Sequence, residues 1–283
     1  MDEWHDILPC LRNKQLLWWA QCNTLFSIVS ERYIHQAQWN KWNKLGLRQC
    51  AENGNVEGVK YLVERCEADV HAWDDYALRY ASGNVHLDVV RFLVENGADV
   101  HAKDDHALRE ASMNGHLPVV RFLVEKGADV HAWDDYALRY AGEFGHLKVV
   151  QYLVENGANV HAGGEYALRF ASYRGHLEMV KYLVLECGAD VHAVDDDALR
   201  VASWRGHLEL VKYLVEDGRV DVHACNEEAL REASEFGQLE VVKYLVLKGA
   251  DVHADDVLRR ASQNGHLEVV EYLERNGAVL RLE

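Results

Sequence analysis

Asp99-Val-His-Ala-Lys-Asp-Asp-His-Ala-Leu-Arg-Glu-Ala-Ser-Met-Asn-Gly-His-Leu-Pro-Val-Val-Arg-Phe-Leu-Val-Glu-Lys-Gly-Ala128 decides the fold, because the chain repeats this phrase along most of its length. Aligned on their leucines, the copies fall at Leu47, Leu78, Leu108, Leu138, Leu168, Leu199, Leu230 and Leu258, separated by 31, 30, 30, 30, 31, 31 and 28 residues. A fixed period of this size is the signature of a stacked repeat architecture. Within one copy, Ala107, Leu108, Ala111 and Ser112 form a stripe of apolar or small residues at helical spacing, and small residues there let two helices approach closely. After an Asn114-Gly115 turn, Leu117, Val120, Phe122, Leu123 and Val124 make the apolar side of a second helix. Gly127 stands where a helix end wants a left-handed residue. Asp104-Asp105, just ahead of the first helix, are expected to cap its positive end.

One such helix pair cannot bury its own apolar side; stacked neighbours cover it, giving a rod of nearest-neighbour contacts. The predicted fold class is therefore all-α, a solenoid of about eight helix pairs. Glu271 and Glu274 give the last unit a wetter second helix, as expected of a terminal repeat. Residues 45–283 are assigned to the repeats. Residues 1–44 lack the repeat wording and carry Trp4, Trp18, Trp19, Trp39 and Trp42, so they form a separate N-terminal helical segment that caps the first repeat or binds a partner of its own.

Gly115-His116-Leu117-Pro118-Val119-Val120 with Leu123, Gly127-Ala128-Asp129-Val130, and Leu108 with Ala111 resemble the ankyrin repeat over residues 45–283. The wording Ala-Leu-Arg-x-Ala-Ser…Gly-His-Leu-x-Val-Val is similar to that of ankyrin arrays of giant DNA viruses. Against the family pattern, Thr-Pro is replaced by Tyr76-Ala77 or His106-Ala107, and each unit is about three residues shorter than the usual ~33. The missing residues fall where the family builds its β-hairpin finger, so fingers are expected to be short or absent. Val85 replaces the interhelix glycine of the second unit, which predicts a distorted turn, and Gly163-Gly164 interrupts the acidic pair of the fifth, which predicts a looser joint. The string from Ile7-Leu8 through Leu16-Leu17, Leu25-Phe26 and Ile28-Val29 to Trp39 resembles the later part of an F-box. That second resemblance implies docking on a ubiquitin-ligase adaptor.

Composition narrows the function. The net charge of −16 opposes nucleic acid as main partner and repels anionic membranes. No apolar run approaches the ~20 residues of a membrane span, and Asp2, Glu3 and Asp6 occupy the place of a basic leader. Six cysteines (Cys10, Cys22, Cys50, Cys66, Cys187, Cys225) share no spacing, which points to free, mostly buried thiols in a reducing, cytoplasmic setting. A monomer is expected.

Two histidine ladders, His71 to His253 and His86 to His266, spread identical groups along the stack. A zinc site needs about four converging ligands, so hydrogen bonding at loops and helix starts is the expected role. The arginine ladder (Arg48, Arg79, Arg109, Arg139, Arg169, Arg200, Arg231, Arg259) is expected to pair with nearby Asp or Glu. No triad, phosphate loop or metal motif stands out, so no enzyme activity, cofactor or metal is expected.

The variable wording lies at the end of each first helix: Glu52-Asn53, Gly83-Asn84, Met113-Asn114, Glu143-Phe144, Tyr173-Arg174, Trp204-Arg205, Glu235-Phe236 and Gln263-Asn264. The ankyrin resemblance implies that these residues face a concave groove. Phe144, Tyr173, Arg174, Trp204, Arg205 and Phe236, with Trp133 at a further contact position of the family, are the candidate partner-binding residues. They are of the types enriched in binding hot spots, and they are expected to be solvent-facing. The expected partner is a protein or peptide. The alternative is a substrate-recruiting ligase subunit whose N-terminal segment binds the adaptor.

Overall fold

The computed structural model describes residues 36–254 and 256–279, and among these it holds sixteen helices and no strand. They come in pairs, one pair to a repeat: α1 (Gln36–Glu52) with α2 (Val56–Cys66), α3 (Ala72–Gly83) with α4 (Leu87–Glu95), α5 (Ala102–Met113) with α6 (Leu117–Glu125), α7 (Ala132–Glu143) with α8 (Leu147–Glu155), α9 (Ala162–Arg174) with α10 (Leu177–Leu185), α11 (Ala193–Arg205) with α12 (Leu208–Glu216), α13 (Ala224–Glu235) with α14 (Leu239–Leu247), and α15 (Val257–Gln263) with α16 (Leu267–Arg275). The fold is the all-α repeat stack that the wording predicts, without β-hairpin fingers among the described residues. Helix α1 runs unbroken across residue 44. The chain divides into two compact units, residues 1–129 and 130–283. In the first, α1 packs on α3 and α3 on α5; in the second, α7, α9, α11, α13 and α15 pack in succession.

The recurring leucines are the core of each joint: all eight are buried, and from Leu78 on so is the alanine three residues further, a place that half-buried Cys50 takes after Leu47. Small residues set the spacing. Gly142 stands where other repeats carry a buried serine, and a Cβ there would lie 2.8 Å from the Cβ of Ala167, so α7 and α9 meet at a distance that only glycine allows. Second helices α4, α6, α8, α14 and α16 end alike. Gly127 has φ +96°, its N–H donates to the Val124 carbonyl at 2.9 Å, and that of Ala128 donates to Leu123 at 3.0 Å, which together satisfy two orphan carbonyls. In the last repeat Ser262 and Leu267, whose counterparts elsewhere are covered, are exposed.

First helices α3, α5, α7, α9, α11 and α13 are entered through a left-handed turn, which corrects the expected cap. Lys103, Asp104 and Asp105 have φ of 55°, 55° and 54°, a conformation that costs an L-residue about 1–2 kcal/mol. Asp105 directs its carboxylate to partners other than the helix start. Arg109 holds the turn instead, its Nε donating to the Asp104 carbonyl at 3.0 Å and its Nη2 to Lys103 at 2.8 Å. Asp105 is buried, and its carboxylate accepts from His101 Nδ1 at 3.1 Å and from the backbone N–H of Asp129 at 2.8 Å. Asp75 does the same with His71 and Asp99, and in the second unit Asp135 with His131 and Asn159. Several ladder arginines serve backbone carbonyls, since Arg79 and Arg231 bind the turn as Arg109 does and Arg139 reaches the Trp133 carbonyl. The expected carboxylate pairing also forms, at Arg48 with Glu52, Arg139 with Asp134, Arg169 and Arg200 with Asp197, Arg231 with Glu228, and Arg259 with Asp256.

The fifth repeat keeps its joint. Gly163 and Gly164 take the left-handed positions of Trp133 and Asp134, at φ +62° each, where glycine lowers the strain. Glu165 supplies the buried carboxylate, accepting from His161 Nδ1 at 2.5 Å and from the Asp190 N–H at 3.2 Å. The extra methylene of Glu keeps the reach of Asp. Val85 likewise holds the same interhelix turn as glycine, with φ +63° and 52% exposure. The turn is strained but undistorted, since Leu87 still donates to the Val85 carbonyl at 3.0 Å, as Leu117 does to Gly115.

The second histidine ladder ties neighbouring repeats. His86 Nε2 bonds the Glu52 carbonyl, His116 the Gly83 carbonyl and His207 the Tyr173 carbonyl, each at 3.0 Å, and Gln238 takes over the role on Trp204 at 3.1 Å. Both ladders are thus hydrogen-bonded joints between or within repeats.

Candidate functional site

In the second unit, aromatic residues recur on the first helices at steps of four. Tyr136 and Tyr140 stack with ring centroids 4.0 Å apart on α7, and Tyr166 and Phe170 stack at 4.0 Å on α9. Trp133 meets Tyr136 edge-on at 6.3 Å. Between helices, Tyr140 approaches Tyr166 at 5.3 Å, Tyr173 approaches Trp204 at 5.3 Å, and Trp204 approaches Phe236 at 5.3 Å; Phe170 and Tyr173 lie 6.4 Å apart. Eight rings, from Trp133 to Phe236, therefore form one continuous ladder across α7, α9, α11 and the end of α13. Apart from the two 4.0 Å stacks, the spacings lie within the range where aromatic pairs attract beyond their burial.

All seven candidate residues lie in this unit. Trp133, Tyr173, Trp204 and Phe236 are rungs of the ladder. Phe144 stands beside it, 40% exposed, with the Arg174 guanidinium 5.2 Å from its ring centroid. Arg205 lies over Tyr173 at 4.8 Å. Trp133 and Phe236 are 59% and 44% exposed, while Tyr173 and Trp204 are half-buried between their neighbours. For Tyr173 and Trp204 that corrects the expectation of a solvent-facing row: the indole of Trp204 takes part in inter-repeat packing, because its two flanking rings close on it from α9 and α13.

Glu143 organises the near end. It is buried, accepts from Arg174 Nη2 at 2.8 Å and from the Tyr166 hydroxyl at 2.8 Å, and so fixes both the cation over Phe144 and a rung of the ladder. Burial, followed by the hydrogen bonds with Tyr140 and Glu143, pushes the Tyr166 phenol well above the usual tyrosine value. The sequence singles out Phe144 and Arg174 but passes over Glu143, Tyr140 and Phe170. The four-residue steps Tyr136–Tyr140 and Tyr166–Phe170 were the available signal.

Beyond Phe170 the face changes character. Asp197 replaces the tyrosine of Tyr136 and Tyr166, is buried, accepts from Arg169 Nε at 2.6 Å, and is also bound by Arg200. Glu228 pairs with Arg231 at 3.0 Å, and Glu235 with Arg260 at 2.8 Å. Burial and then the neighbouring Glu228 raise the Glu232 carboxyl above its ordinary value. An aromatic half and a charged half thus adjoin on the same set of helices.

The first unit carries a shorter version, with Tyr76 stacked on Tyr80 at 3.9 Å, Trp73 edge-on to Tyr76 at 6.2 Å, and the Arg48 guanidinium 4.5 Å from the Tyr76 ring. Its helix ends carry Gly83-Asn84 and Met113-Asn114, so no aromatic row forms there.

Among the described residues no group of three or more His, Cys, Asp or Glu is arranged to hold a metal ion. No described helix is long and apolar enough to cross a membrane. The described cysteines are free but not mostly buried as expected: Cys50, Cys66 and Cys187 are half-buried and Cys225 is exposed. The F-box-like string, but for its last residues near Trp39, lies outside the described residues.

Set against models of known families, the chain matches the one for ankyrin repeats (3 copies) at residues 47–134, 108–195, 168–256 and 199–282. No curated protein matches the chain.

Proposed function

The chain belongs to the ankyrin-repeat family, whose repeats bind protein partners, and from that premise we propose that it holds a protein or peptide against the first-helix face of its second unit. The residues that carry the contact are Phe144, Tyr173, Arg174, Trp204, Arg205 and Phe236, with Trp133 at the edge. The continuous ring ladder carries this reading. Joints elsewhere in the stack are sealed by leucine, alanine and valine, so packing does not require exposed Phe144, Phe236 or Trp133. Large rings with arginines laid over them supply contact area at low entropic cost, and such residues dominate binding energy at interfaces. No group on this face is arranged as a nucleophile with its base, so recognition rather than turnover is its chemistry.

The test is to isolate the partner from the native source and measure its affinity for point variants of the full chain. Trp204→Ala or Phe236→Ala should weaken binding at least about tenfold, which is about 1.4 kcal/mol. Asn264→Ala, at the matching position of the last repeat, should leave it unchanged. Equal affinity for all three variants would place the interface elsewhere.

A further inference from the structure

We propose that the segment bound on this face is an acidic peptide stretch of the partner protein, with a carboxylate taken by Arg205 and flanking apolar side chains laid on Tyr173, Trp204 and Phe236. The inference rests on the reading above and adds the chemistry of the occupant.

Charge complementarity carries it. The chain as a whole has a net charge of −16. From the recurring leucine to the helix end, α7, α9 and α11 carry Arg139, Arg169, Arg174, Arg200 and Arg205 against Glu143, while Asp197 lies just ahead of Leu199 and α13 adds Glu228, Glu232 and Glu235 against Arg231. Most charges on this face are therefore matched, and the cation left over decides what it can take. Four of the five arginines on α7, α9 and α11 are engaged within the unit: Arg139 on the Trp133 carbonyl, Arg169 and Arg200 on Asp197, and Arg174 on Glu143. Arg205 is the exception. It is exposed, it rests over Tyr173, and no described carboxylate lies within ion-pair distance of it. A guanidinium braced on a ring at the middle of an aromatic row, with its donors turned to solvent, offers a fork that fits a carboxylate.

Occupants of other classes fit less well. A basic peptide would bring like charge onto Arg205. A single-stranded nucleic acid would find rings to stack on, but it carries a phosphate at every nucleotide and needs a track of cations, and four of the five here are already engaged. A peptide with one carboxylate between apolar residues asks for one cation and adjacent rings.

The test uses the full chain and a phage-displayed library of random dodecamers, followed by fluorescence polarisation with the selected peptides made synthetically. The expected result is selection of sequences with Asp or Glu flanked by apolar residues. Their affinity for the wild-type chain should fall in high salt; it should fall at least tenfold in Arg205→Glu, and return in that variant when the peptide acid is exchanged for Lys. Arg205→Lys, which keeps the charge without the fork, should retain part of the binding. Unchanged helicity by circular dichroism separates these effects from unfolding. Selection of Lys- or Arg-rich or uncharged sequences that still depend on Trp204 would overturn the acidic occupant and leave the binding face standing. Peptides indifferent to both Trp204→Ala and Arg205→Glu, or no selection at all, would overturn both. Displacement of a selected peptide by a thymidine oligonucleotide at low concentration would assign the face to nucleic acid and overturn the proposal.

Discussion

Truncating Trp204 should destabilise the free protein as well as its complex. Its ring lies 5.3 Å from Tyr173 at an interplanar angle of 59° and 5.3 Å from Phe236 at 48°. Each aromatic pair of this kind contributes about 0.5–1.5 kcal/mol beyond burial, so losing two costs about 1–3 kcal/mol. Arg205→Ala removes an exposed side chain and should stay within about 0.5 kcal/mol. Trp204→Phe keeps a ring in place and should fall between them. The assay is urea unfolding of each variant, followed by both circular dichroism and tryptophan fluorescence, since coincident transitions license a single free energy. A double-mutant cycle of Trp204→Ala with Phe236→Ala isolates the pair, with an expected coupling of about 0.5–1.5 kcal/mol. Two results would refute the reasoning: a Trp204→Ala change below about 0.5 kcal/mol, as a fully solvent-facing ring would give, or the absence of coupling to Phe236.

Leu138→Ala empties a fully buried position at the centre of a repeat and should cost about 2–5 kcal/mol in the same unfolding assay; a loss under about 1 kcal/mol would contradict its burial. Val85→Gly removes a β-branched residue from a left-handed turn, and should stabilise by about 0.5–1 kcal/mol once the greater freedom of glycine in the unfolded chain is subtracted; no gain in urea midpoint would mean the turn carries no strain. Histidine titration by NMR should separate two sites. Burial and then the charges of Arg79 and Arg109 hold His106 down at about 4, whereas the hydrogen bond to Glu227 raises His223 above the ordinary histidine value. The signs are opposite. Stability from neutral His106 is complete above the ordinary histidine range and is lost as pH falls towards about 4. That from charged His223 is complete at acid pH and is lost as pH rises through its raised value. Ordinary midpoints at both would show that neither environment forms.

The repeat wording determined the helix pairs, their order and their buried leucines, because helical periodicity and terminal glycines are local properties that a sequence displays directly. Glycine at the C′ position and a small-residue stripe leave few alternatives for the backbone around them. The aromatic candidates at the first-helix ends were legible for a related reason: the repeat supplies its own reference, and departures from it stand out. Contacts between residues some thirty positions apart were not legible. Whether Tyr140 meets Tyr166, or Trp204 meets both Tyr173 and Phe236, depends on how closely successive first helices approach. Gly142 against Ala167 sets that distance at one joint through the absence of a single Cβ. The acidic pairs read as helix caps because charge beside a helix start usually does that. Only the folded joint turns Asp105 inward to bind the next repeat, with Arg109 on the backbone carbonyls of the turn. Spacing along the chain determines which face of a helix a side chain occupies. Which partner it finds there is decided by the neighbouring helix, whose distance and rotation belong to the packing of the whole joint.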